Sequence, residues 1–316
     1  MIEARNLSKV YDGQAVVNNV SFHVERGQTL VLLGTSGSGK TTTLKMVNRL
    51  VEKDGGVIII NDRKIEDIEP HLLRRSIGYV IQQIGLFPHY SIARNIALVP
   101  HLLKWETARI DQRVNELLDL VGLPATLRDR KPDQLSGGQQ QRVGIARALA
   151  ADPDIILMDE PFGALDPITR REIQNEFRLL AKTMNKTVIM VTHDVKEAFG
   201  LADVVCLMDH GKIQQAGKAR DLLFKPANSF VEQFFAPHYL ELELSVVCLA
   251  DLVPCLQPVN GSGNTTRELP VTTSIREASE HNQSQNIALA HNGTRYVIPK
   301  GELLSLYYTN YKNGST

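Results

Sequence analysis

The 316-residue sequence has no excess of either charge, with 35 Lys and Arg against 35 Asp and Glu. This balance offers neither a basic footprint for nucleic acid nor a polybasic patch for an anionic membrane, and no nucleic-acid partner is expected. No window approaches the ~18 apolar residues of a membrane-spanning helix. The opening MIEARNLSKVY has no basic stretch followed by an apolar core. The expectation is a chain without spans, so that a membrane process would draw its spans from other chains. Cysteine is scarce: Cys206, Cys248 and Cys255 lack paired metal-ligand spacing. Cys206 falls in the apolar run 204–208, where a small thiol is expected to be buried, and this usage favours a reducing cytoplasm. There is no long internal repeat and no low-complexity tract.

Short apolar runs are present, at 29–33, 57–60, 155–158, 187–191 and 204–208, alternating with helical patterns. Runs such as VIII and TVIMV have no polar alternation, as expected for strands covered on both faces. The fold class read from this is α/β. Between residues 92 and 151 the strand signal disappears, while Ile110, Val114, Leu117, Leu118 and Val121 recur at helical spacing. A helical subdomain of about residues 90–151 is therefore expected to be inserted in the sheet. After about Phe235 the texture changes toward a polar, glycine-containing stretch at 257–268, which places a small second domain at 237–316 after a larger one at 1–236. Within it, 273–281 and 301–308 read as helices, and 287–290 and 296–298 as strands joined through Asn292-Gly293.

The residues Gly34, Thr35, Ser36, Gly37, Ser38, Gly39, Lys40 and Thr41 fit the phosphate-loop pattern, after the strand TLVLL and before a helix that opens at Thr42. Glycines let successive backbone N–H groups curve around a polyphosphate, and the helix N-terminus adds positive potential. Lys40 neutralises phosphate charge, and the Thr41 hydroxyl can ligate Mg2+. The apolar run 155–158 ends in two carboxylates with different expected roles: Asp159 to hold Mg2+, directly or through water, and Glu160 to polarise the attacking water. At Leu135-Ser136-Gly137-Gly138-Gln139, a serine and two glycines open a second helix. Its N-terminus, with the Ser136 hydroxyl and the Gly138 N–H, suits a γ-phosphate; an ordinary turn and cap is the alternative.

Together these motifs resemble, in their order, the nucleotide-binding domain of ABC transporters, over residues 1 to about 235. The resemblance implies a P-loop NTPase fold with a mixed-sheet core and a helical subdomain, using ATP and Mg2+. It implies that Tyr11 stacks on adenine, that Gln82 senses metal and water and stands among the metal-contacting residues, and that Asp166 lies in the loop Ala164-Leu165-Asp166. It makes His193 the switch histidine, and it places Ser136, Gly137, Gly138 and Gln139 at the nucleotide of a facing copy. Gln83 beside Gln82 leaves a one-residue ambiguity. A head-to-tail pair is implied, as a homodimer or with a paralogue, at the cytoplasmic face of the inner membrane. An integral-membrane permease and a solute-binding protein or domain complete the assembly.

The segment 74–89, with Asn95-Ile-Ala-Leu-Val-Pro100 and Leu102-Leu103-Lys104-Trp105, is similar to the importers of glycine betaine, carnitine and choline, as is 43–50. Another quaternary-ammonium compound such as a betaine of histidine, an amino acid, or a non-transport ABC ATPase are the alternatives. That branch often carries paired CBS modules, β-α-β-β-α units that bind adenine nucleotides. The tail has room for about one, so 237–316 is expected to be a single α+β CBS-like unit, with either a regulatory nucleotide or a dimerising role.

Overall fold

Apolar runs without alternation lose least free energy to desolvated backbone when they pair with one another and are covered on both faces. The computed structural model, which describes residues 1–82, 85–163, 165–259 and 266–312, shows this for the first unit, Met1–Lys218. Its strands are β1 (Ile2–Tyr11), β2 (Gln14–Val24), β3 (Thr29–Gly34), β4 (Gly55–Ile60), β5 (Arg63–Lys64), β6 (Ile77–Val80), β7 (Ile155–Asp159), β8 (Thr187–Thr192), β9 (Val204–Asp209) and β10 (Lys212–Gly217). One sheet has the order β10-β9-β3-β8-β7-β6, parallel except for the β9–β10 hairpin. Every residue of β7 and β8 is buried. The second sheet, β2-β1-β4-β5, is antiparallel.

All five apolar runs form strands as expected, but VIII is not covered on both faces: in β4 only Ile58 and Ile60 are buried, with Val57 and Ile59 half-buried, because the run lies in the antiparallel sheet. β1 and β2 have no counterpart in the sequence reading. Their alternation is broken by register shifts and by Asn6 and Asn19, which have φ of 51° and 56°. Such left-handed residues interrupt the period of two on which strand recognition depends. The helix Lys40–Val47 buries Leu44, Met46 and Val47 in a core shared by both sheets, with Ile2, Val20 and Ile58 on one side and Leu32, Leu157 and Val191 on the other. This core fixes where the helix begins. Cys206 belongs to the same core, and burial pushes its thiol up to about 12.

The helices Ile92–Ile96, Leu98–Leu102, Thr107–Leu120 and Gly137–Leu149 occupy the stretch read as a helical subdomain. Ile110, Val114, Leu117 and Leu118 form the buried stripe of the third, and Val121 just beyond it is also buried.

The second unit is Ala219–Thr316, so the helices Ala219–Phe224 and Ser229–Phe235 cluster with it, whereas the sequence reading put the boundary at 236/237. Composition changes near Phe235, but contacts group earlier. The unit contains β11 (Thr266–Glu268), β12 (Asn286–His291) and β13 (Thr294–Ile298), with β11 parallel and β13 antiparallel to β12. With the helices Ile275–Asn282 and Leu303–Leu306, the order is strand, helix, strand, strand, helix. Val247, Leu252, Ile275, Leu289, Ile298 and Tyr307 form its core. β11 was not foreseen; it lies in the polar stretch 257–268, of which 260–265 fall outside the described residues. Among the described residues, no helix is long and apolar enough to cross a membrane.

Candidate active site

In a parallel sheet every strand delivers its C-terminal residue to the same edge, where ligands of α/β proteins gather. β6, β7 and β8 are neighbours, and the residues that follow them include Gln82, Glu160 and His193. The Gln82 Nε2 donates to Glu160 Oε2 at 2.9 Å, and His193 Nδ1 lies 3.3 Å from Glu160 Oε1. One carboxylate is thus held between an amide and an imidazole. Glu160 has φ 43°, a left-handed conformation rare outside glycine, and its N–H donates to Val191 O at 3.0 Å. The chain therefore turns sharply as it leaves β7. The Glu160 side chain is 21 % exposed and that of His193 62 %, so the pair opens to solvent from the imidazole side. Gln83 lies outside the described residues.

β3 lies beside β8 and continues into the phosphate loop. Two glycines there are required by space. A Cβ on Gly34 would stand 2.2 Å from Met208 O, and one on Gly39, which has φ 95°, 2.4 Å from Val16 O. Thr35, Ser36 and Gly37 form the exposed crest, while Ser38, Gly39 and Lys40 are buried. Thr42 sits in the first turn of the helix Lys40–Val47.

Lys40 Nζ donates to Gly34 O at 2.9 Å, Thr35 O at 2.6 Å and Ser38 Oγ at 3.3 Å. The ammonium thus folds back on its own loop. Burial lowers its pKa, opposed by the carboxylates of Glu160 and Asp159. Thr41 Oγ1 donates to Asp159 Oδ1 at 2.8 Å. Burial raises the Asp159 pKa, against the opposing Thr41 hydrogen bond. A hydroxyl and a carboxylate are a hard oxygen pair, and the cost of burying that carboxylate is one that a divalent cation offsets. Thr41 and Asp159 therefore fit Mg2+, and the Gln82 Oε1 is a further oxygen of the right kind.

Tyr11 ends β1 with 43 % of its surface exposed and Lys9 Nζ 5.3 Å from its ring centroid. Its hairpin continues into β2, whose Val16 carbonyl passes against Gly39. An exposed ring on the hairpin that abuts the phosphate loop suits base stacking.

The other expected phosphate site is built differently. Ser136 caps the helix Gly137–Leu149 through a reciprocal box: Ser136 Oγ accepts from Gln139 N at 3.3 Å, and Ser136 N donates to Gln139 Oε1 at 3.0 Å. The Gly138 Cα is so close to the next helix that a Cβ would stand 2.7 Å from Thr169 Cγ2. Asp166 caps that helix, Pro167–Thr183, accepting from Ile168 N at 3.2 Å and Thr169 N at 3.1 Å. The Thr169 hydrogen bonds hold the Asp166 carboxyl below its usual range. Ala164 lies outside the described residues. Among the described residues, no hydrogen bond or ion pair joins 136–139 to the phosphate loop, Asp159 or Glu160. One chain brings together Lys40, Thr41, Gln82, Asp159, Glu160 and His193, and leaves Ser136, Gly137, Gly138 and Gln139 apart from them.

Two supporting residues carry no site role in the sequence pattern. Arg147, on the helix that Ser136 opens, donates from Nη1 to Gly85 O at 2.7 Å, and Asn95 bonds Phe87 N and the carbonyls of Phe87, Tyr90 and Ser91. Both hold the chain just after Gln82. A polar residue on the buried stripe of a helix was the available signal for Asn95, which is fully buried.

A parallel sheet with a phosphate loop at its C-terminal edge, a metal-suited Thr–Asp pair and a supported glutamate defines a P-loop nucleoside triphosphatase. The profile of the ABC transporter family matches residues 17–163. A glycine betaine uptake system ATP-binding protein of Escherichia coli (strain K12) is 53 % identical over 254 residues, 80 % of this chain and 82 % of that one. A choline transport ATP-binding protein of Bacillus subtilis (strain 168) is 52 % identical over 241 residues, 76 % of this chain but only 63 % of its own length. Among solved structures, a dimeric post-hydrolysis ATP-binding cassette bound to ADP and Pi is 34 % identical, with a TM-score of 0.63 over 69 % of this chain and 98 % of that one. The chain belongs to the ABC transporter family of ATP-binding proteins and is an ABC ATPase.

Proposed function

We propose that this ABC ATPase hydrolyses ATP to power import of a quaternary-ammonium osmoprotectant, of the glycine betaine, carnitine and choline type, through a separate membrane permease. The observation that carries the catalytic part is the Glu160 carboxylate held by Gln82 and His193 at the edge where Thr41 meets Asp159. As a carboxylate, Glu160 accepts a proton from the water that attacks the γ-phosphoryl group. Gln82 and His193 fix its two oxygens, so that the base is oriented before substrate arrives. Lys40 exchanges its loop carbonyls for phosphate oxygens, and backbone N–H groups of 34–42 complete the cradle. When bound, Mg2+ supplies neutralisation of phosphate charge, held by Thr41 and Asp159 with Gln82 as a further ligand.

The cargo rests on the names of the relatives, and so does the permease. Two chains are required, because the Ser136–Gln139 cap is separate from the phosphate loop and suits the γ-phosphate of a facing copy. The pair lies at the cytoplasmic face of the membrane, with a solute-binding protein or domain delivering cargo. The strand, helix, strand, strand, helix order of the second unit supports a single CBS-like module in 237–316. Such modules work in pairs, so the unit in 237–316 is read as pairing with its copy across the dimer, in a dimerising role rather than nucleotide regulation.

The test has two arms. Glu160→Gln lowers kcat by about 100-fold or more while an ATP-bound dimer accumulates in gel filtration. Radiolabelled glycine betaine uptake by the reconstituted complex is ATP-dependent and is abolished by the same substitution. Turnover that survives Glu160→Gln would overturn the assignment of the base, and an ATPase-competent complex that takes up no quaternary-ammonium solute would overturn the cargo.

A further inference from the structure

A buried carboxylate stands behind His193, on the helix that follows it. Glu197, on the helix Val195–Leu201, is 6 % exposed. Its Oε2 accepts a short hydrogen bond from the Thr192 hydroxyl, and its Oε1 accepts from Gln174 Nε2 at 3.2 Å. Thr192 Oγ1 in turn accepts from Asp194 N at 3.0 Å. His193 is therefore the one residue between two that this carboxylate holds, one directly and one through the threonine hydroxyl.

Gln174 belongs to the helix Pro167–Thr183, which Asp166 caps. A second tie runs parallel to the first. Arg170, on the same helix, places Nη1 3.6 Å from Asp194 Oδ2 and donates from Nη2 to Leu165 O at 3.0 Å and Gly163 O at 3.3 Å. The first tie joins the turn 192–194 to the helix Pro167–Thr183, and the second joins Asp194 through Arg170 to the carbonyls of Gly163 and Leu165. Burial pushes the Glu197 carboxyl up to about 7, opposed by the Thr192 and Gln174 hydrogen bonds and the Arg170 charge, with neighbouring Asp194 adding to the rise. A residue of this length that only filled space would be replaceable by an apolar one without that cost.

We propose that Glu197 is a positioning residue for hydrolysis, bracing the Thr192–His193–Asp194 turn against the helix Pro167–Thr183 so that His193 meets Glu160 and follows movement of the Asp166 loop. The proposal rests on the ATPase reading above. Glu197 touches neither the reacting atoms nor the nucleotide cradle, and it acts through Thr192.

The experiment uses the full chain. Glu197→Ala lowers kcat by about 10- to 100-fold with KM for ATP within about twofold, because a small displacement of a catalytic group costs rate but not ground-state binding. Glu197→Gln, which keeps the length and can satisfy both partners, restores most of the rate. Gln174→Ala, on the more accessible side of the tie, lowers kcat by about threefold and serves if the first variant does not fold. In parallel, spectra of histidine-labelled protein, with the His193 resonance assigned by His193→Gln, show that resonance moved in Glu197→Ala and Gln174→Ala but restored in Glu197→Gln. An unmoved His193 resonance in a folded variant, or a rate loss that merely tracks lost thermal stability in all three, would overturn the brace. A wild-type chain without turnover would instead overturn the ATPase reading, and the histidine spectra would still decide the brace.

Discussion

The two helix N-termini read as phosphate sites in this chain differ in what they leave unsatisfied. At Gly39–Lys40, glycines are forced by carbonyls less than 2.5 Å from where a Cβ would lie, and a buried lysine turns onto its own loop. A buried aspartate nearby has its proton affinity raised. At Ser136–Gln139 the N–H groups of Ser136 and Gln139 are already answered by a reciprocal cap, Ser136 and Gly137 are exposed, and the Gly138 backbone runs close to Thr169. The first terminus holds unfavourable burial that substrate and metal relieve, so it is a site by itself. The second is a finished helix start, which under the proposed function becomes a site only when another molecule supplies the phosphate. Under the proposed function, we expect single-chain nucleotide binding and two-chain catalysis to follow from that difference.

The largest test of the contrast is Gly138→Val. The new side chain collides with Thr169, and we expect kcat to fall by about 100-fold, the scale for losing a transition-state donor, while single-chain ATP affinity stays within about twofold. Steady-state turnover and nucleotide titration on one preparation check it; a parallel loss of affinity would break the separation of the halves. Lys40→Ala has the converse expectation. Removing a charge-assisted partner of the phosphates lowers ATP affinity by about 10- to 100-fold, read by calorimetry. The smallest effect is that of Ser136→Ala, which removes the side-chain half of the cap and costs about 1 kcal/mol of stability in denaturant unfolding. A stability loss well above this would mean that the helix start carries structural work beyond its cap.

Legibility in the sequence followed the same divide. The phosphate loop could be read because its chemistry needs consecutive residues: a turn that only glycine tolerates, then Lys40 and Thr41 on the first turn of a helix. The cap at Ser136 could be read for the same reason. Glu160 is read from the carboxylate pair that ends an apolar run and Gln82 from the family resemblance, but nothing local says that they touch, since they are 78 residues apart. Glu197 was not singled out, because a glutamate in the first turn of a helix reads as ordinary capping charge, and only packing removes it from water. β1 and β2 have no counterpart in the sequence pattern because of their bulges, and contacts divide the chain before the helix pair 219–235 whereas composition changes after it.

What the sequence determined by itself is therefore the local chemistry: an anion cradle, a carboxylate pair at a strand end, a capped helix start, and fully apolar strands that must lie inside. Those features depend on residues within a few positions of one another, and their conformational demands are short-range. The tertiary structure decided which of them meet. The order β3-β8-β7-β6 puts the phosphate loop, His193, Glu160 and Gln82 along one sheet edge and keeps Ser136 out of that site, because strand neighbours are chosen by burial and pairing across the whole unit.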